Sequence, residues 1–273
     1  MKRTSAFLSG VFAILAAFSP TQAAPIITAT KDDNLTAGLA TTTGGGNLSV
    51  AANGSFTYNP APGFTGTDTF TYTISDGEVN TDTATATISV AGRIWFINAA
   101  AGAGGDGRLT TPFNSVAAFN STAADAAGDN IFLYSGTYTT PPTLLANERL
   151  IRQGATASVT TITGLAAPSG SVVLPTTGGA RPTIAVTSGT GITLASGNTV
   201  NGLNVTNSAG SGITGSAVGT LALADFDVTV TGGTALSLTT SGTGTATGSD
   251  NDLNSTNGTA LNVNAVNIGA ARG

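Results

Sequence analysis

The fold is decided by four segments that repeat one pattern: Gly191-Ile192-Thr193-Leu194, Gly212-Ile213-Thr214-Gly215, Ala235-Leu236-Ser237-Leu238 and Ala260-Leu261-Asn262-Val263. Their leading aliphatic residues lie 21, 23 and 25 residues apart at Ile192, Ile213, Leu236 and Leu261. Repeats of this length that contain several short strands stack as the coils of a parallel β-helix. The spacing therefore predicts a solenoid.

A second set of short strands runs in step with the first. Its members each end eight residues before the next leading aliphatic residue: Leu203-Asn204-Val205, Phe226-Asp227-Val228 and Asn251-Asp252-Leu253. Two independent markers in one register favour a β-helix over a leucine-rich repeat, which needs a Leu-x-x-Leu-x-Leu pattern. Parallel strands joined in this way are expected to have right-handed connections.

The composition narrows the function classes. The 273-residue chain has no His and no Cys, so a Ser-His-Asp triad, a Cys nucleophile and a disulfide are excluded. Nine basic residues against fourteen acidic ones argue against a nucleic-acid partner. A charged fraction of 8% together with 37 Gly residues is typical of all-β repeat proteins.

The N-terminus has the three-part layout of a secretory signal peptide, residues 1–23. Lys2 and Arg3 form its positive region, residues 6–18 are mostly apolar, and residues 19–23 supply a small-residue cleavage site. The apolar stretch is too short to span the roughly 30 Å core of a bilayer. We expect a secreted or cell-surface protein with no membrane span once this leader is removed.

Residues 25–91 predict a small β-sandwich. Apolar and polar residues alternate over residues 55–58, 69–74 and 83–90, which is typical of strands with one buried face. Asn53-Gly54 and Asp76-Gly77 mark turns between these runs. The segments at residues 54–60, 63–72 and 75–77 resemble the bacterial cadherin-like or Ig-like modules of large surface proteins, which typically act as spacers.

Residues 92–273 predict the β-helix and a cap at its first coil. An apolar strand at residues 93–97 is followed by one helix over residues 112–127, with Val116, Ala117 and Phe119 on its apolar face. Trp95 is expected in the core. A helix at this place would cover the open strand edges of the first coil.

This second segment also resembles a family. The likeness rests on residues 95–97, 104–107, 111–115, 128–131, 134–138 and 150–154, which are similar to the start of pectate-lyase-like right-handed parallel β-helices. Among these it is most similar to bacterial surface adhesins and autotransporter passengers. The resemblance implies a fold that lyases, hydrolases and adhesins share, so it does not fix an activity.

Four carboxylates are expected on one outer patch of the solenoid. If Phe226 and Val228 point inward, Asp225 and Asp227 share the outer face, and the repeat register stacks them on Asp250 and Asp252. Adjacent strands lie about 4.8 Å apart, and alternate residues of a strand lie about 7 Å apart. The patch is therefore the candidate site that the sequence offers.

Three interpretations of this patch stay open. Hard oxygen ligands could hold a cation such as Ca²⁺, the one cofactor that the sequence suggests. An acid and a base about 7 Å apart could cleave a glycosidic bond with inversion. Alternatively, the four side chains are only solvated. A lyase of this fold needs a basic proton abstractor, and Arg181, the only Arg between residues 154 and 271, lies outside the acidic strands.

The sequence favours a structural or adhesive role. We expect an exported bacterial surface protein whose β-helix contacts glycans, other cells or host surfaces. Cleavage of a polysaccharide at the acidic patch and a passive stalk are the alternatives. The last coil is interrupted at residue 273 without a cap, which predicts a longer protein or end-to-end self-association.

Overall fold

The computed structural model describes residues 11–12, 34–35, 38–50, 56–75, 81–167, 172–239, 245–264 and 267–268. Apart from residues 11–12, the predicted leader lies outside these residues. The chain divides into two compact units. The first comprises residues 1–93 and 166–174, and the second comprises residues 94–165 and 175–273.

The described part of the first unit consists of seven strands: β1 Val11–Phe12, β2 Asn34–Leu35, β3 Gly38–Thr41, β4 Asn47–Val50, β5 Phe56–Asn59, β6 Gly66–Ser75 and β7 Thr81–Val90. They form two sheets, ordered β1-β7-β6-β2 and β3-β4-β5. Neighbours are antiparallel except β1 and β7. Both sheets contribute buried side chains to one apolar cluster: Leu48, Val50, Phe56, Tyr58, Phe70, Ala86, Ile88 and Val90.

A buried carboxylate at the start of β6 joins these two sheets. Asp68 has no exposed surface. It accepts five hydrogen bonds, from Thr42 Oγ1, Thr43 Oγ1 (3.0 Å), Gly44 N (2.5 Å), Tyr58 Oη (2.8 Å) and Thr69 N (2.8 Å). Burial acts to raise the pKa of Asp68, but these hydrogen bonds outweigh it and hold the pKa below its ordinary value.

The glycine at position 44 is required by this close approach. A Cβ there would lie 2.6 Å from the ring of Phe64 and 2.9 Å from the carboxyl carbon of Asp68. A larger residue would therefore push the backbone N–H of position 44 away from the carboxylate.

The second unit is a parallel β-solenoid of about five turns. Its strands are β8 Ile94–Ile97, β9 Asn130–Leu133, β10 Thr137–Tyr138, β11 Arg149–Arg152, β12 Thr183–Val186, β13 Thr190–Leu194, β14 Thr199–Asn201, β15 Asn204–Asn207, β16 Ser211–Ser216, β17 Thr220–Val230, β18 Leu236–Thr239, β19 Thr245–Ser255, β20 Leu261–Asn264 and β21 Asn267–Ile268. Every pairing between these strands is parallel.

The strands fall into three stacks that run along the solenoid. The first contains β8, β9, β11, β14, the first halves of β17 and β19, and β21. The second contains β10, β12, β15 and the second halves of β17 and β19. The third contains β13, β16, β18 and β20. All three stacks turn apolar side chains into one core, among them Leu150, Val200, Leu223, Ile184, Val205, Val228, Ile192, Ile213 and Leu236.

The predicted repeat register is confirmed. In the third stack Ile192 pairs with Ile213, Ile213 with Leu236, and Leu236 with Leu261. The second marker is confirmed as well, since Val205 pairs with Val228 and Val228 with Leu253. The two sequence markers therefore belong to two different stacks of the same solenoid.

The prediction of one helix over residues 112–127 is wrong in extent. The structure has α1 at Val116–Asn120 and a second short helix, α2 Val159–Thr163, that was not predicted. Ser115 caps α1 by accepting a hydrogen bond from Ala118 N at 3.2 Å. At the other end, Ser121 Oγ donates to Ala118 O at 2.7 Å, so a polar side chain competes with helical bonding and ends the helix.

The predicted apolar face of α1 is confirmed for Val116 and Phe119 and wrong for Ala117, which is exposed because the short helix turns that side to solvent. Val116 and Phe119 are fully covered, and the Phe119 ring centroid lies 6.4 Å from that of Trp95. Phe113 completes the cluster at 5.9 Å from Trp95. The prediction that Trp95 belongs to the core is confirmed.

Candidate functional site

The first and second stacks meet at a corner of the solenoid. Successive coils make this turn at equivalent positions of the repeat. In one coil the turn is made at Gly202 and in the next at Asp225, and both residues have left-handed backbone angles, with φ of 73° and 57°. Asp is one of the few residues other than Gly that adopt this conformation readily. Asp225 therefore leaves the extended geometry of β17, although the strand continues on both sides of it.

The coil before Gly202 takes a much longer path between the same two stacks. Thirty residues, 153–182, separate β11 from β12, and the described ones before residue 168 include α2. Loops of this length inside a compact repeat are uncommon and are often functional. The first part of this loop and the next two coils line a cleft of about 330 Å³, with Ala155, Thr156, Ala157, Ile162, Asn201, Ala224 and Asp225 at its surface.

Arg181, near the end of this loop, binds both aspartates of β17, two coils further along the solenoid. Its Nη1 lies 2.8 Å from Oδ2 of Asp227, and its Nη2 contacts Oδ1 of Asp225. Gly154 makes room for it, because a Cβ there would lie 2.6 Å from Cγ of Arg181. We call Gly154, Arg181, Asp225 and Asp227 the corner site.

The strand register shows that Arg181 occupies an equivalent position to Asp225 and is therefore a candidate partner for it. Thr183 pairs with Asn204, and Asn204 pairs with Asp227. Counting back two residues places Arg181 on the corner position that Asp225 occupies two coils later. The repeat spacing alone does not connect Arg181 with the acidic strands, because the long loop interrupts the repeat just before it.

The structure places the four predicted carboxylates in one register but in unlike surroundings. Asp227 pairs with Asp252. Asp225 is level with Asp250, because the pairs on either side of it are Ala224–Ser249 and Phe226–Asn251. Asp252 is exposed, whereas Asp225 and Asp227 are partly covered. The side chain of Asp250 lies outside the described residues.

A second arginine is buried beside the corner site. Arg152 has no exposed surface, and none of its three guanidinium nitrogens has a hydrogen-bond partner within the described part of the chain. Burial lowers the pKa of Arg152 well below its ordinary value, with Asp225 acting against the shift and Arg181 adding to it. Strand pairing aligns Arg152 with the core residues Leu133 and Ile97 of earlier coils.

The ion pairs made by Arg181 determine what the carboxylates of the corner site can bind. Two of the four carboxylates that the sequence offered to a cation or a substrate are bound to a guanidinium. Arg181 neutralises part of their charge and occupies one oxygen of each carboxylate, so a cation or a sugar would compete with the guanidinium for Oδ1 of Asp225 and Oδ2 of Asp227. No aromatic side chain lines the described cleft, so no stacking platform for a sugar ring is present there.

The energetic role of this ion pair can be measured by a double-mutant cycle. We expect Arg181→Gln and Asp227→Asn to show a coupling of about 0.5 kcal/mol in the free energy of unfolding, because both side chains are partly solvated and screened. Arg181→Gln combined with Asp252→Asn is the matched control, since Asp252 does not contact Arg181 in the described structure. Equal coupling in the two cycles would contradict the assigned ion pair.

Comparison with known proteins supports the assignment of the first unit. Residues 17–92 match the family model described as the bacterial cadherin-like domain. This range contains β2 to β7 and begins inside the predicted leader. No curated protein and no solved structure matches the chain. A bacterial cadherin-like domain and a parallel β-solenoid fit a surface adhesin-like protein.

Among the residues that the structure describes, neither helix is long and apolar enough to cross a membrane.

Proposed function

We propose that this chain is an exported bacterial surface protein that makes adhesive contacts through the outer face of its solenoid. The observation that carries the proposal is a set of polar ladders on that face. In the second stack the outward residues Thr206, Thr229 and Asn254 pair in successive coils and are exposed or partly exposed. Such ladders offer hydroxyl and amide groups at about 4.8 Å intervals, which suits contact with a repetitive polar surface.

A second polar ladder follows the third stack. Thr193 pairs with Thr214, Thr214 with Ser237, and Ser237 with Asn262. These side chains are uncharged and lie at the surface or partly so. Glycans or the surfaces of other cells are the partners that this chemistry suits best, because both present dense hydrogen-bonding groups and need no complementary charge.

The proposal includes the finer features suggested by the sequence. The solenoid is right-handed and pectate-lyase-like, α1 caps its first coil, and the first unit is an Ig-like sandwich that serves as a spacer. Supporting them are the buried inner face of α1 and the two sheets that share one apolar cluster. The signal peptide delivers the chain to the cell surface or the medium.

Cleavage of an acidic polysaccharide is the second candidate. One observation favours it: guanidinium and carboxylate groups meet at a cleft of about 330 Å³ beneath the long loop. An adhesin binds the polymer without changing it, whereas a lyase or hydrolase releases new ends.

A combined retention and product assay distinguishes the two. The purified chain is incubated with pectic, alginate-like and neutral polysaccharides, with and without Ca²⁺, and both bound protein and new reducing or unsaturated ends are measured. We expect retention on at least one polymer with no product. Product that disappears in Asp227→Asn would assign an active site to the corner and overturn the proposal.

A further inference from the structure

A second group of carboxylates lies in the early coils of the solenoid, away from the corner site. Asp125 and Asp129 belong to the segment between α1 and β9, and Glu148 immediately precedes β11. Each residue offers one carboxylate oxygen, and these oxygens all lie within 4.8 Å of one another. We call Asp125, Asp129 and Glu148 the triad.

Glu148 is the member that requires an explanation. Its side chain has no exposed surface. Oε2 accepts a hydrogen bond from Leu145 N at 2.6 Å, whereas Oε1 is buried and receives no hydrogen bond from a donor among the described residues. The neighbour of the Glu148 carboxyl is the carboxyl of Asp125, and Glu148 forms no ion pair within the described residues. A buried carboxylate oxygen left without a partner is costly, so such oxygens are normally satisfied by a donor, a proton or a cation.

The backbone around the triad is held in place by further hydrogen bonds. Asp129 Oδ2 accepts from Trp95 Nε1 at 2.9 Å and from Ala126 N at 3.0 Å. On the other side, Asn198 Nδ2 donates to Leu145 O at 2.7 Å and to Glu148 O at 3.3 Å. The oxygens of Asp129 and Glu148 are therefore positioned by neighbouring coils, as the ligands of a preformed site would be.

We propose that the triad binds a divalent cation of the hard, oxygen-preferring class, with Ca²⁺ as its representative. Oxygens bound to one Ca²⁺ at about 2.4 Å are at most about 4.8 Å apart, which matches the separation limit of the triad. All three donors are carboxylates, and the chain has no His or Cys to favour a softer metal. Asp125 is partly exposed and offers the ion a route from solvent.

The bound ion would join two segments that are distant along the chain. Asp125 and Asp129 lie between α1 and β9, whereas Glu148 lies in the turn before β11. Cross-linking these segments would stabilise the early coils, because a ligand that binds only the folded state raises its stability by mass action.

The single tryptophan provides a site-specific test. Trp95 is the only Trp in the chain, and its indole nitrogen donates directly to Asp129. Tb³⁺ resembles Ca²⁺ in its ligand preference and emits strongly when an adjacent indole transfers energy to it. We expect Tb³⁺ added to the full chain to emit on Trp excitation, and Ca²⁺ to displace it competitively.

Variants separate the triad from the other carboxylates. Glu148→Gln and Asp125→Asn should each weaken Tb³⁺ affinity by about tenfold or more, because affinity depends on the number of charged ligands. Asp227→Asn and Asp252→Asn are the matched controls and should leave the emission unchanged. Far-UV circular dichroism checks that each variant folds, and Asp125→Asn is informative even if Glu148→Gln fails, since Asp125 is partly exposed.

A melting experiment distinguishes the ion from the alternative, a proton held on Glu148. If the triad binds Ca²⁺, the melting midpoint of the native protein rises with Ca²⁺ concentration and that of Glu148→Gln does not. If a proton satisfies Glu148, Ca²⁺ has no effect on either protein, and the proposal is overturned. Sensitised emission that survives in both triad variants would also overturn it.

Discussion

Asp68→Ala is expected to lower the free energy of unfolding of the first unit by about 3 to 5 kcal/mol, enough to unfold a unit of this size. Asp68 is fully buried and accepts hydrogen bonds from both sheets. Its removal leaves the buried Tyr58 hydroxyl and several other donors without an acceptor, and it also opens a cavity. Hydrogen exchange measured by mass spectrometry should show lost protection across β4 to β7.

The control for this prediction is Asp252→Ala. It makes the same chemical change at an exposed position, and we expect a difference of less than about 0.5 kcal/mol. Protection in β4 to β7 that remains unchanged in Asp68→Ala would show that the buried carboxylate does not hold the two sheets together.

The pH dependence of stability provides a second check on Asp68. Its pKa in the folded unit lies below the ordinary value of 3.8. The stabilisation from this group is therefore fully present above pH 3.8 and is lost as the pH falls through the folded pKa. Asp68→Asn should remove this part of the acid dependence, so the fall in stability below pH 3.8 becomes shallower than in the native protein.

Arg152→Met is expected to have the second-largest effect, and in the opposite direction. We expect the free energy of unfolding of the solenoid to rise by about 1 to 3 kcal/mol, because the replacement removes a buried guanidinium to which the described residues offer no hydrogen bond and puts an apolar side chain of similar length in its place. Leu133 and Ile97 occupy the aligned core positions of earlier coils, so an apolar residue suits this stack. Asp225 keeps Arg181 as its partner.

Arg149→Met in the same strand is the matched control. Arg149 is partly exposed, and its replacement should change stability by less than about 0.5 kcal/mol. Trp95 fluorescence in a urea titration reports the second unit, since this unit contains the only Trp. Destabilisation by Arg152→Met would show that Arg152 is needed as a cation, with Asp225 as its counter-charge.

The solenoid register could be predicted from the sequence because two markers repeat in step. Ile192, Ile213, Leu236 and Leu261 belong to one stack, and the eight-residue offset to the second marker fixes how the two stacks connect. A single repeating marker would predict the stacking of one set of strands but not how two stacks connect. Periodicity reports on the strands, which recur, and not on the insertions that interrupt them.

The extent of the helix could not be predicted in the same way. An apolar spacing over residues 112–127 satisfies the pattern of an amphipathic helix, but Ser121 bonds back to the helix and ends it after five residues. Local competition of this kind depends on side-chain geometry that a hydrophobic pattern does not contain.

The contacts of the buried and charged side chains could not be predicted from the sequence, because the partners are far apart along the chain. Asp68 draws its donors from residues up to 26 positions away, and Arg181 contacts Asp227 across 46 positions. Glu148 meets Asp125 and Asp129 only because β9 and β11 are neighbours in the first stack. Each contact is created by the fold, so it follows from the register only after the insertions have been placed.

The central claim is that a polar ladder on the outer face of the solenoid makes the adhesive contact. The most direct test places positive charges along one ladder at a time in the full chain and measures retention on the polymer that binds the native protein. One variant carries Thr206→Lys, Thr229→Lys and Asn254→Lys on the second stack. The other carries Thr193→Lys, Thr214→Lys and Asn262→Lys on the third stack. All six positions face outward, so the core remains intact.

The proposal predicts that one of these variants loses affinity by about tenfold or more, equivalent to about 1.4 kcal/mol, while the other retains it. Such a result would assign the contact surface to a single stack. Undiminished retention in both variants, with both folded, would contradict the claim that the outer ladders bind.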